Sequence, residues 1–197
     1  MRNLENVIYV VSGLPRSGTS MMMQMLEAGG LQILTDNIRS ADDDNLQGYY
    51  ELERVKQLKD GDTEWVTQAA GKVIKVISSL LEHLPVNFHY KLVFMERDLM
   101  EILASQRKML ERRGKPNNPE DDAMFSNLYT KHLVKVKSWL SAQTNFDVTY
   151  VNYNELITKP KEFAATIAGF LETPVDVQAM AGVPEGKFYR QRNPASK

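Results

Sequence analysis

Apolar, β-branched runs recur along the chain at residues 6–12 (NVIYVVS), 73–77 (VIKVI), 90–95 (YKLVFM) and 147–152 (DVTYVN). They are short and bounded by turn residues, the pattern of strands buried on both faces in a parallel sheet. Between them, helical patterns cover 21–28, 98–111, 120–140 and 161–171, and the first of these closes on Gly29 and Gly30. Strands alternating with helices predict an α/β fold: a three-layer α/β/α arrangement around a central parallel sheet. Residues 31–50 stand outside this pattern. They are polar, rich in Asp and Asn and without period, which is long for a structureless connection and marks them as a functional loop.

Composition narrows the classes. At 197 residues the chain fits one domain, 1–197, with room for a full core. A net charge of -1 argues against a general nucleic-acid binder, so any phosphate site must be local. Cysteine is absent, which removes disulfides, thiolate zinc sites and thiol nucleophiles together. Residues 1–5 lead straight into the first strand, too short for a signal sequence, and no run approaches the roughly 18 apolar residues of a membrane span. A cytoplasmic protein with no membrane partner is expected.

The first strand runs into Gly13-Leu14-Pro15-Arg16-Ser17-Gly18-Thr19-Ser20, which has the two-glycine spacing of a P-loop with Thr-Ser in place of Lys-Ser/Thr. Glycines let successive amides turn inward, and the following helix offers free N–H groups and its positive dipole end to an anion. Thr19 and Ser20 add hydroxyls, and Arg16 adds a planar cation suited to phosphate or sulfate oxygens. The alternative is a tight strand-to-helix turn that binds nothing. Met21, Met22, Met23 and Met25 read as core filling.

Arg97 stands at the end of the 90–95 strand, and Asp98 with Glu101 has the spacing of a capping box opening the next helix. Ser105 lies seven residues past Asp98, about two turns on, and so returns to the side of that helix's first turn. Arg97 and Ser105 are therefore candidates for a second anion contact. The competing reading is an ion-paired arginine and a surface serine.

PRSGTS at 15–20, together with an Arg eight residues before a Ser in RDLMEILAS at 97–105, resembles the two cofactor motifs of the sulfotransferase family. The resemblance continues in Tyr153-Asn154-Glu155-Leu156, followed by Lys159-Pro160 and a helix ending in Phe170-Leu171. It implies a P-loop NTPase-like sulfotransferase fold and 3'-phosphoadenylyl sulfate (PAPS) as co-substrate, with no metal. It also implies cofactor contacts from Pro15, Arg16, Ser17, Gly18, Thr19 and Ser20 to the 5'-phosphosulfate, and from Arg97 and Ser105 to the 3'-phosphate. Tyr153 would lie near the nucleotide, and Arg190 and Arg192 would close over the 3'-phosphate as basic residues near the C-terminus do in relatives.

For catalysis, Arg16 occupies the family's loop-lysine position, and Lys75 matches a second lysine before the reaction centre. Lys75 sits in an otherwise apolar run, where a charge needs an anionic partner: the sulfate, or a structural ion pair. The histidine that follows two residues later in cytosolic relatives is Ile77 here. His132 falls on the apolar stripe of Phe125, Tyr129, Leu133, Val136 and Leu140 and reads as a core histidine. Asp36 and Glu51 are the candidate general bases, each with the alternative of a solvated loop carboxylate. Two other functions compete: a nucleotide binder without catalysis, given Ile77, and a P-loop kinase, which lacks its loop lysine and would draw its magnesium carboxylate from Glu96 or Asp98. The acceptor and the oligomeric state are not written in the sequence.

Overall fold

The computed structural model describes residues 7–36, 50–115, 118 and 121–184. In chain order its regular elements are β1 (Val7–Gly13), α1 (Thr19–Ala28), β2 (Val73–Lys75), β3 (His89–Glu96), α2 (Leu99–Arg112), α3 (Asp122–Ser141), β4 (Phe146–Asn152), α4 (Tyr153–Thr158), α5 (Pro160–Leu171) and α6 (Val177–Gly182). Three 3-10 segments, Glu53–Asp60, Glu64–Ala69 and Ser78–His83, are interposed around β2. The sheet order is β2-β1-β3-β4, with every pair parallel.

Every residue of β1 is buried because its alternating side chains serve two cores. Val7, Tyr9 and Val11 pack with the methionines of α1 and with α4, α5 and α6; Ile8 and Val10 pack with Trp65, Leu81, Tyr90, Phe94 and α3. Helical layers on both faces make this the α/β/α arrangement that continuous apolar strands require. Met22, Met23 and Met25 are fully buried, as the helical reading of their spacing implies. Lys91, inside β3, is the charge the core has to accommodate. Its ammonium donates to the Phe170 carbonyl at the end of α5 (2.7 Å) and to Glu172 (2.9 Å), so helix dipole and carboxylate together balance its burial.

Several expectations shift. The 73–77 run is strand only to Lys75. The Val76 amide still bonds the Val11 carbonyl, but Ile77 turns outward and opens a 3-10 segment. The start of the 31–50 loop is ordered against the sheet: Ile33 bridges Val73, and the Leu34 amide donates to the Val73 carbonyl. Asp42, Asp43, Asp44 and Tyr49 lie outside the described residues. Trp139 packs edge-on against Phe146 in the second core.

Candidate active site

All four strands deliver chemistry at one edge, their carboxyl ends, where ligands of open parallel sheets bind. At the end of β1, Gly13 approaches β3 so closely that a Cβ there would lie 2.6 Å from the Met95 carbonyl oxygen. Arg16 (φ 72°) and Gly18 (φ 100°) then turn the backbone through the left-handed region. α1 begins with Gly18 as its N-cap, with no side-chain cap and no acidic residue in its first turn. Its first amides therefore face outward with the dipole uncompensated. The Ser17 hydroxyl is buried and has no hydrogen-bond partner among the described residues, which costs about 1–3 kcal/mol unless a ligand supplies one. Pro15 is exposed at the loop's crest, while Thr19 and Ser20 are half-buried in the first turn.

The second anion candidate converges on this loop. Arg16 Nε donates to Ser105 Oγ at 3.0 Å, across 89 residues of sequence. Arg97 Nη1 donates to the Arg16 carbonyl at 3.2 Å. The Arg97 guanidinium lies 4.4 Å from the centroid of the Tyr153 ring, and that ring packs against Gly18, where a Cβ would meet it at 2.3 Å. Tyr153 is thus the buried platform between loop and arginine. Burial raises its hydroxyl above the ordinary tyrosine range, while the nearby Arg97 and Arg16 oppose that shift.

Glu101 is the member that sequence reasoning missed. Asp98 caps α2, accepting the Glu101 amide at 3.1 Å, and the Glu101 carboxylate has partners beyond its own helix. It accepts from Arg97 Nε at 2.9 Å and from Asn154 Nδ2 at 3.0 Å. An acid four residues after an arginine is the available signal, and the capping-box reading concealed it. Asn152, at the end of β4, accepts the amides of Asn154 and Glu155 and starts α4 there. That turn aims Tyr153 and Asn154 back toward Arg97.

On the opposite side of the loop, Lys75 Nζ donates to Ser20 Oγ at 3.1 Å, bringing the end of β2 to the start of α1. The parallel bridge Ile33–Val73 carries the chain alongside β2 toward the same edge, ending at Asp36. Asp36 Oδ2 accepts the Glu53 amide (2.6 Å), and the Thr35 hydroxyl donates to the Glu51 carbonyl (2.8 Å), so the two candidate bases belong to one clasp. Ile77 is 42% exposed near Lys75. His132 Nε2 and Ser78 Oγ are 2.8 Å apart; the ring is satisfied by that contact but half-buried, at the margin of the core rather than within it. Glu96 pairs with Lys137, and Asp98 is held as the α2 cap, so both carboxylates a magnesium site would draw on are committed. Arg190 and Arg192 lie outside the described residues.

The fold and site define a parallel α/β protein with a glycine-turned loop and a helix start without a side-chain cap at the carboxyl edge of its sheet. Comparison gives the family: the sulfotransferase domain model matches residues 8–185, and the chain belongs to that family. No curated protein sequence matches it. Solved structures with the same fold include the sulfotransferase domain of the Synechococcus PCC 7002 olefin synthase (16% identity, TM-score 0.55, 96% of this chain and 85% of that one). A mouse sulfotransferase complexed with PAP matches at 17% identity and TM-score 0.55, over 98% of this chain and 70% of that one. Retinol dehydratase in complex with androsterone and inactive cofactor PAP matches at 17% identity and TM-score 0.53, over 94% and 66%. No helix among the described residues is long and apolar enough to cross a membrane.

Proposed function

We propose that this chain is a single-domain sulfotransferase that moves a sulfuryl group from PAPS to a hydroxyl or amine of an acceptor, in the cytoplasm. The observation that carries the reading is the pairing of two cation-lined anion positions around one uncapped helix start. Lys75 reaches one flank through Ser20, and Arg16, Arg97 and Ser105 form the other. The residues fit a bisphosphorylated nucleotide: the Ser17 hydroxyl, without a partner among the described residues, and the outward amides of α1 are donors suited to anionic oxygen.

PAPS, when bound, supplies an activated sulfuryl group with a phosphate as its leaving group. The loop from Pro15 to Ser20 grips the 5'-phosphate, and Arg97 and Ser105 hold the 3'-phosphate. Arg16 and Lys75 stabilise the charge that grows on the leaving oxygens, so catalysis is positioning plus electrostatics. Asp36 or Glu51 takes the acceptor proton. No metal is required in this scheme.

Calorimetric titration with 3'-phosphoadenosine 5'-phosphate (PAP), AMP and magnesium ATP tests the proposal. Tight PAP binding that falls sharply for AMP and further in Arg97→Ala is expected. Preference for magnesium ATP, with no response to the 3'-phosphate, overturns it in favour of a kinase. A second reading, nucleotide binding without transfer, draws on the exposed Ile77 where cytosolic relatives carry histidine. It predicts PAP binding with no sulfated product from any acceptor.

A further inference from the structure

Arg97 is held by a carboxylate that no nucleotide need touch. Its side chain is 8% exposed and that of its partner Glu101 is 1% exposed, so this ion pair is formed inside the protein rather than in solvent. Glu101 also receives Asn154, which sits beside Tyr153 at the turn from β4 into α4. Tyr153 in turn underlies Arg97 and props Gly18. One carboxylate therefore ties the end of β3 to the end of β4, and through Tyr153 to the helix start after β1. A buried carboxylate this close to an anion site is electrostatically adverse to the anion. Its presence calls for a compensating role, and fixing the guanidinium plane provides one, because a planar fork recognises phosphate only when its orientation is set.

We infer that Glu101, steadied by Asn154, is a positioning residue that sets the Arg97 guanidinium for the 3'-phosphate and so determines selectivity for a 3'-phosphorylated nucleotide. This rests on the proposed nucleotide site. AMP, which lacks the 3'-phosphate and depends on the loop, is the internal control.

The test measures the PAP and AMP dissociation constants of the full chain, with thermal melts, for the wild type, Glu101→Gln and Asn154→Ala. Glu101→Gln removes a negative charge at constant shape, so the two roles differ in sign. Positioning predicts PAP affinity lower by about tenfold, the scale on which partners behind a ligating side chain act, with AMP affinity nearly unchanged. Asn154→Ala should lower PAP affinity in the same direction by a smaller factor.

If Glu101 only packs the structure, melting falls while the PAP-to-AMP ratio stays at its wild-type value; if its charge alone matters, PAP binds Glu101→Gln more tightly. Either result overturns the inference while leaving the nucleotide reading intact. A wild-type protein that does not distinguish PAP from AMP overturns both. Should Glu101→Gln fail to fold, the Asn154→Ala ratio decides: a fall supports the inference and an unchanged ratio overturns it.

Discussion

Lys75 and Ser20 are 55 residues apart in sequence, yet the lysine ammonium donates to the serine hydroxyl at 3.1 Å. The contact forms because β1 and β2 are parallel neighbours in register from Tyr9–Val73 to Val11–Lys75, which brings the end of β2 level with the loop that follows β1. A cation on the last residue of one strand thereby meets the first turn of the helix after the other.

Lys75→Met should remove charge stabilisation from the leaving-group side with little effect on binding of the product nucleotide. The expected outcome is a fall in kcat of about 100-fold or more, with PAP affinity within a few-fold of wild type. Turnover assays and calorimetry on the same preparation check both halves. A loss confined to PAP affinity would place Lys75 in binding instead.

Ser17→Ala separates stability from ligand binding. The Ser17 hydroxyl is buried and without a partner among the described residues, so deleting it relieves an unsatisfied group, and the ligand-free protein should melt at the same temperature or slightly higher. PAP and AMP should both bind more weakly. A destabilised variant with unchanged affinities would make Ser17 a structural residue.

Gly18→Ala should damage fold and site together. The residue has φ 100°, and its new methyl would stand 2.3 Å from the Tyr153 ring. Positive-φ strain and the clash each act in the same direction, for a combined loss of about 2 kcal/mol or more in urea unfolding. Because the displaced Tyr153 carries Arg97, selectivity for PAP over AMP should fall as well.

His132 gives the protein an acid-sensitive element beside Ser78, at the start of the 3-10 segment after β2. Burial, then the charge of Lys135, depresses its pKa below the ordinary value, with Glu82 opposing. The unfolded chain therefore binds a proton at a pH where the folded one does not. Stability attributable to His132 is complete above the unfolded value of about 6.5 and declines as pH falls through the depressed folded value. Chemical denaturation from pH 7.5 downward should show a shallower decline in His132→Gln than in wild type. Identical slopes would exclude this origin.

The strands, the glycine turn into α1 and the helical layers were legible in the sequence because each is a local pattern. Continuous β-branched runs cannot be solvated, glycine spacing fixes a backbone turn, and the methionine cluster after the loop has nowhere to go but the core. Arg97 and Ser105 were legible as a spaced pair, and Asp98 as a cap.

What the sequence left open depends on where strands lie beside one another. The order β2-β1-β3-β4 and its parallel register decide that Lys75 meets Ser20 and that Arg16 reaches Ser105. Register likewise sets Arg97 over Tyr153, and no spacing along one chain encodes it. Local rules assigned Glu101 to its own helix start; packing also brings its carboxylate to Arg97 and Asn154, because a buried guanidinium needs a buried counter-charge. Local chemistry named the parts of this site, and the parallel pairing of distant strands decided which of them touch.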